Sequence, residues 1–387
     1  MIIHCHHSFR PNSGEMKRIL NINRDVAGVL SAEIVEVEFF SWRDIRFVLS
    51  DAGQFTLSDT VVKKYYIPHI ARLGILDEWF QSLLLFFLML RHRPNWYLEE
   101  WFLPRGNRWL KKLFSCRWLV DIHGAAPEEY SYIHHKRSSY LERRERHTVY
   151  SADGILCQSD EMERHLSVKY PGSAPAIVYR CGVDMTLFHL NEEKRRALRD
   201  DLSYRDKNIV FVYSGGMHPW QKVDGVLRFF QQLHAIDACT RLLVLTRETD
   251  AFMSYLHRAG YENLPDFIKV LSLSYEQVPD YLNASDAAFL MRDDVVMNAV
   301  ASPTKLAEYF ACGLPVITSS VAQHWLDEEG MRYVYDTEKF PIEKVFSFVH
   351  NLNRSEISDY AQCKLSLEMD RTRVLNALVD NNERPSL

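Results

Sequence analysis

Apolar residues along the chain fall into short runs separated by longer amphipathic stretches. Runs rich in Val, Ile, Leu and Phe occupy 2–6, 34–40, 118–123, 154–158 and 177–180, and then 209–213, 242–246, 268–271, 287–291 and 316–318. Helical periodicity lies between them, at 15–30, 138–149, 223–236 and 355–367. Short continuous apolar strands alternating with helices are the pattern of parallel sheets covered on both faces. Two such series predict an α/β chain of two Rossmann-like domains. The strand pattern pauses after Arg180, and a highly charged stretch begins at Asn191. The expected division is therefore 1–185 for a first domain and 186–354 for a second, with 355–387 a C-terminal helix crossing back to the first.

Length and composition leave this picture intact. A chain of 387 residues suits two domains. A formal net charge of −5 excludes a generally basic nucleic-acid binder. The charge is uneven, however: residues 91–146 hold 12 Lys+Arg against 7 Asp+Glu. The same region carries Trp96, Trp101, Phe102, Trp109, Phe114 and Trp118, with Arg105, Arg108, Lys111 and Lys112 at helical spacing. Two readings stand: a solvated face over an apolar core, or peripheral membrane contact with anionic headgroups through residues 91–118. The apolar run 83–90 would rise about 12 Å as a helix, far short of a ~30 Å hydrocarbon core, and is read as a core helix. Seven Cys with no CxxC argue against a disulfide framework or zinc ribbon and for a reducing, cytoplasmic setting. The first residues lack the basic and long apolar regions of a signal peptide.

The most informative stretch is 301–317. Ser302 suits an N-cap and Pro303 the first helical position; Gly313 suits the position past the C-cap, and Pro315 blocks continuation. A helix that follows a strand and a loop in this way starts at the carboxyl edge of its sheet, where free N–H groups and the helix dipole attract anions. Ser302, Thr304 and Lys305 add donors there, and Glu308, one turn on, can reach the vicinal hydroxyls of a ribose.

Ser302-Pro-Thr-Lys-Leu-Ala-Glu308 with Gly313-Leu-Pro315 resembles the donor-site signature of retaining GT-B glycosyltransferases of glycosyltransferase family 4, in the form found in bacterial surface-polysaccharide enzymes. Further landmarks follow the family's order: Asp121-Ile-His-Gly124, Arg180-Cys-Gly-Val-Asp184 with Phe188, Tyr213-Ser-Gly-Gly216 with Trp220-Gln-Lys222, and Ala284-Ser-Asp286 leading to Arg292. The resemblance implies two Rossmann-like domains facing a central cleft. It also implies a nucleotide diphosphate sugar, UDP or GDP, as co-substrate, and a glycan or lipid-linked acceptor. The reaction would be metal-independent transfer with retention in polysaccharide, lipopolysaccharide or capsule biosynthesis, at the inner face of the plasma membrane. Two departures stand out. Val300 occupies the place of the first Glu of the family's Glu-x7-Glu, with Asn298 as a substitute, and Gly215-Gly216 stand where a Gly-Arg pair is frequent, leaving Arg292 to supply the charge.

Roles follow residue by residue. Lys222, Arg292 and the 302–305 helix start would stabilise the departing diphosphate. His123, ending a strand beside Gly124, would contact the donor sugar or phosphate, whereas Asp121 is expected on the opposite face of that strand. Gly14, Gly215 and Gly216 would let backbone approach phosphate. Leu271 and Tyr275 would lie at the base, with Ser274 and Gln277 forming a capping box. Glu128 and Glu129 start a helix after Pro127, and one of them can orient an acceptor hydroxyl. Asp184 and Asp286 are read as turn or cap residues. No HExxH, Cys/His cluster or DxD pair suggests a metal, no GxGxxG after a strand suggests a dinucleotide oxidoreductase, and no P-loop occurs. An epimerase or hydrolase of the same fold, or a non-catalytic nucleotide-sugar-binding partner, stay open as alternatives.

Overall fold

A computed structural model of the chain describes residues 1–7, 14–41, 45, 61–69, 75–100, 107–369 and 371. They divide into two compact units between Arg180 and Cys181, ahead of the expected boundary, with the second unit running to Met369. Arg371 joins the first unit, where its Nε lies 3.6 Å from Asp25 Oδ1.

The first unit holds β1 (Ile2–His7), β2 (Ile34–Ser41), β3 (Val61–His69), β4 (Trp96–Glu100), β5 (Arg117–Ile122), β6 (Gly154–Cys157) and β7 (Ala176–Val178). They form one sheet in the order β3-β2-β1-β4-β5-β6-β7, with every pair parallel. The second unit holds β8 (Ile209–Ser214), β9 (Thr240–Leu245), β10 (Ile268–Leu271), β11 (Ala287–Phe289), β12 (Val316–Thr318) and β13 (Val334–Asp336). Its sheet, β10-β9-β8-β11-β12-β13, is also parallel throughout. In both, the strand order reverses once, between β1 and β4 and between β8 and β11. Helices on either side of such a switch point run to opposite faces, which opens a crevice at the carboxyl ends of the two central strands.

The helices bury the faces their periodicity dictates. Val223–Ile236 turns Val226, Leu227, Phe230 and Leu233 inward, against a cluster that includes Phe211, Leu242 and Phe289. On the other face, Leu306, Tyr309 and Phe310 pack with Val212, Leu243 and Val316. Three strands escape the apolar pattern. β4 reads Trp-Tyr-Leu-Glu-Glu, and both its glutamates are buried. β3 is an edge strand, where Lys64 pairs across to Glu36 and Glu38 and where the missing N–H of Pro68 is tolerated. β13 is only three residues long. The helix Arg354–Lys364 packs on the second unit: Ser358 Oγ donates to Ala311 O at 2.8 Å and Arg354 Nη2 to Cys312 O at 2.9 Å. The residues expected to cross back beyond 371 lie outside the described ones.

The helix Thr304–Ala311 ends as its glycine requires. Gly313 has φ +70°, its N–H bonds Phe310 O at 2.8 Å, and Leu314 N–H bonds Tyr309 O at 2.9 Å, which is a Schellman closure. A Cβ at Gly313 would meet Arg354 O at 2.7 Å. Gly313→Ala is therefore expected to lower stability by more than about 1 kcal/mol, read from urea unfolding midpoints at unchanged m; an unchanged midpoint would contradict this account of the helix end.

Candidate functional site

At the switch point of the second sheet two cations meet. Lys305 enters from the first turn of Thr304–Ala311, and Arg292 follows the strand-end residues Leu290 and Met291. Both are half-buried. Desolvation, and then the nearby Arg292, lower the Lys305 amine to about 7. Burial also lowers Arg292, and its Nε is buried without a hydrogen-bond partner. Among the described residues neither side chain forms an ion pair. Gly215, directly after β8, makes room: a Cβ there would lie 1.8 Å from Lys305 Nζ. The walls are tyrosines. Lys305 Nζ sits 5.8 Å from the ring centroid of Tyr213, whose hydroxyl donates to Gly216 O at 2.5 Å, and Ser214 N–H donates to Tyr309 Oη at 2.9 Å.

Other expected donor residues gather around this pair. Glu308 is buried, and Tyr275 Oη donates to its Oε1 at 3.1 Å, with the Tyr275 ring against Phe188. Burial and the Glu308 charge raise the Tyr275 phenol, so it stays a donor. The Ser274–Gln277 capping box is present, just past Leu271 at the end of β10. Gly216 N–Cα packs near Glu248, whose Oε2 accepts from Met217 N–H at 3.0 Å. Lys222, in a left-handed backbone conformation (φ 51°), is committed to Asp293 through Nζ. Asn298 turns its amide inward to Asp293 O at 2.9 Å and so ties the 293–298 loop together. Ser302 does not cap the helix. Pro303 holds the N-cap position, and Ser302 Oγ instead accepts from Cys181 N–H at 3.2 Å. The extended Pro303 backbone moves the helix start one residue on, so Thr304 is its first residue. Asp184 makes the expected turn, accepting from Thr186 N–H at 2.9 Å, and Asp286 accepts from Val210 N–H at 2.7 Å while pairing with Arg195 and Arg199.

The first unit's switch point is charged in a different way. His123, just past β5, forms an ion pair through Nε2 with Glu100 Oε1 at 3.0 Å and donates from Nδ1 to Asp121 Oδ2 at 3.3 Å. Asp121 thus lies on the same side as His123, not on the opposite face, because residues two apart in a strand share a face. Arg18 clamps Asp121 with Nη2–Oδ1 at 2.6 Å and Nε–Oδ2 at 2.8 Å, and gives Nη1 to Tyr179 O at 2.6 Å. Burial alone would lower the His123 imidazole, but the bonds to Asp121 and Glu100 overcome it and raise it to about 10. Burial likewise opposes ionisation of Glu100, yet His123 and His7 hold it down to about 2. His123 is therefore a fixed cation, unsuited to be a base at neutral pH.

Glu100, Arg18 and His7 escape sequence reading; the only trace is a pair of glutamates closing an otherwise apolar run. A neighbouring constellation also escapes it. His6, Glu36 and Glu38 place ligand-capable atoms within 4.8 Å of one another. Lys64 Nζ reaches Glu36 Oε1 at 2.9 Å and Glu38 Oε2 at 2.8 Å, so a protein ammonium already supplies positive charge there. Of the two acceptor candidates, Glu128 is bound to Lys169 at 2.6 Å and His165 at 3.4 Å, in the first turn of Ala126–His134; Glu129 shares that turn. Gly14 opens the helix Gly14–Leu30, and the loop before it lies outside the described residues, as do Trp101, Phe102 and Arg105 and the side chains of Arg108 and Trp109.

Two parallel sheets of this strand order, each with its polar groups at the switch point, are the architecture of GT-B glycosyltransferases. Three solved structures share it. They are sucrose-phosphate synthase from Thermosynechococcus elongatus (TM-score 0.72, 13% identity, 98% of each chain), Anabaena HepE in complex with UDP (0.71, 13%, 98% of this chain and 99% of that one) and WaaG, a glycosyltransferase involved in lipopolysaccharide biosynthesis (0.70, 12%, 97% and 99%). At these identities the likeness is one of fold. In sequence, residues 208–341 match the family described as Glycosyl transferases group 1. The chain is 23% identical over 273 residues to the Bacillus subtilis protein named "Putative teichuronic acid biosynthesis glycosyltransferase TuaH", a match that covers 70% of this chain and 65% of that relative.

The first-unit geometry has a direct readout. His123 nitrogen shifts in an NMR titration are expected to stay those of an imidazolium from pH 5.5 to 8.5. Its raised value means that the stability it contributes is fully present below about pH 6.5 and is lost only as pH climbs through about 10. An inflection near 6.5 would overturn the assignment.

Proposed function

We propose that the chain is a glycosyltransferase. It takes a sugar from a nucleotide diphosphate sugar, UDP or GDP based, and moves it with retention to a hydroxyl of a glycan or lipid-linked acceptor in cell-surface polysaccharide biosynthesis at the cytoplasmic side of the membrane. One observation carries the reading: Lys305 and Arg292 are half-buried, close together and outside any ion pair among the described residues, and the charges of Glu308 and Glu248 offset only part of the desolvation and repulsion at Lys305. Two desolvated like charges are costly unless a ligand of opposite charge joins them. A diphosphate at the start of Thr304–Ala311 answers both and gains the helix N–H groups as well.

In this reading the donor C1–O bond breaks, and its electron pair leaves with the diphosphate. Lys305, Arg292 and the helix N–H groups stabilise that charge where it develops, without a metal. The acceptor oxygen bonds C1 on the same face, and its proton passes to the departing phosphate oxygen. Lys222 adds a cation held by Asp293 of the loop that Asn298 ties. Ser302, Thr304, Gly215 and Gly216 line the phosphate approach. Glu308, oriented by Tyr275, takes the ribose hydroxyls, and Leu271 and Tyr275 flank the base. In the first unit His123 offers a fixed positive charge to sugar or phosphate. Gly14 permits close backbone approach, and Glu128 or Glu129, in the first turn of Ala126–His134, orients the acceptor hydroxyl.

UDP-glucose and GDP-mannose binding, measured by calorimetry, tests the donor assignment; binding of neither, with no turnover, would refute it. Lys305→Ala and Arg292→Ala are each expected to weaken binding at least about tenfold, and Lys222→Ala and Glu308→Ala to cut transfer by a similar factor. Product stereochemistry, with and without acceptor, separates transfer from hydrolysis or epimerisation.

The lowered Lys305 value sets a pH signature. The free amine is charged below about pH 7 and loses its proton above it, while a bound diphosphate restores the charge. Affinity for UDP-glucose, whose phosphates do not titrate in this range, should be level below pH 7 and fall by up to about tenfold per unit above it. Lys305→Met should flatten that slope. Gly215→Ala should displace the amine and weaken binding, and its strained φ of +155° should also lower thermal stability.

A further inference from the structure

We propose that the helix Ile75–His92 seats the first unit on an anionic bilayer surface through the stripe Leu76, Trp79, Phe80, Leu83, Phe87 and Leu90. These positions recur at three- and four-residue intervals and share one face. Their side chains are 48–71% exposed, whereas Gln81, Leu85 and Met89 on the opposite face are buried. The helix is therefore apolar on two sides, and among the described residues only the inner side is covered. Six large apolar side chains in line along 18 residues, about 27 Å of helix, exceed the scattered exposure normal on a soluble surface. The run 83–90, expected as core, is core on one face only.

Charge selects the occupant. The helix has two acids, Asp77 and Glu78, and both are engaged: His69 Nδ1 lies 2.6 Å from Asp77 Oδ2, and the Arg144 guanidinium, through Nη1, lies 3.2 Å from Glu78 Oε1. The outward face presents no carboxylate. Cations rim it at both ends. Arg91 and Arg93 are exposed at the carboxyl end. Beside it, the helix Asn107–Leu113 is drawn in by the Phe86–Phe114 ring contact at 5.7 Å and exposes Lys112 and Leu113. Near the amino end Tyr140 Oη reaches Glu78 Oε1 at 3.4 Å, and the segment leading to it exposes Lys136 and Arg137. An aromatic-aliphatic ridge between cationic ends matches acyl chains below anionic headgroups. Among the described residues no helix is long and apolar enough to cross a membrane, so this one would lie in the interface plane. The lipid contact expected at 91–118 thus moves to the preceding helix, and Arg91, Arg93 and Lys112 become its rim.

Full-length protein should co-sediment with vesicles of equal phosphatidylcholine and phosphatidylglycerol, more weakly with phosphatidylcholine alone, and less as salt rises. The double change Trp79→Ser, Phe87→Ser should lower vesicle affinity at least about tenfold. Arg91→Gln with Arg93→Gln should lower it severalfold and flatten the salt dependence. Thermal melting and UDP-glucose binding of the same variants should match the parent; the lipid and nucleotide measurements fail separately, so either proposal can fall alone. No binding to anionic vesicles, or binding that ignores the Trp79 and Phe87 changes, overturns the inference. So does light scattering that shows a dimer dissolved by those changes, since a second copy would then cover the stripe.

Discussion

The second unit is organised around one electrostatic constraint: two cations share a poorly solvated space and repel each other. Arg292 reaches that space from the end of the central strand, Lys305 from a helix start, and both arrive at the point where the strand order reverses. The surrounding structure accommodates rather than neutralises them. Gly215 has no side chain because the Lys305 amine occupies that volume. Tyr213 and Tyr309 wall it with rings and hydroxyls that are themselves satisfied by backbone. In the proposed reading the repulsion present in the free protein would be relieved when a diphosphate enters.

The first unit treats charge in the opposite way. At its switch point buried charges are paired: Arg18 with Asp121, Asp121 and Glu100 with His123, Glu100 with the His7 backbone. Closed chains of this kind fix side-chain positions and leave little to titrate near neutrality. One sheet therefore carries paired charges at its switch point and the other two cations outside any ion pair among the described residues, although the strand order reverses once in both. The difference lies in the residues at the strand ends, not in the fold.

Several parts of this were legible in the sequence. The apolar runs predicted parallel α/β units because a strand covered on both faces must be apolar throughout. Gly313 and Pro315 marked the helix end by backbone chemistry alone, and the capping box at Ser274–Gln277 did the same. Lys305, Arg292 and Glu308 were legible as candidates because their spacing places them at a strand end or a helix start. β4 was hidden: Glu100 looks solvated until His123 and His7 come into reach.

What the sequence determined by itself was local and periodic: which stretches are strands and helices, where a glycine must take positive φ, and that the two series of units repeat one architecture. Tertiary structure decided which charges are paired. Lys222 and Lys305 are alike as sequence, yet one pairs with Asp293 and the other, outside any ion pair among the described residues, stands beside Arg292. It also decided which side of an apolar helix faces water, since Leu83 and Leu85 differ only in what stands opposite them. The reason is common to both. Pairing and burial depend on atoms brought together from distant parts of the chain, and spacing along one segment carries no record of them.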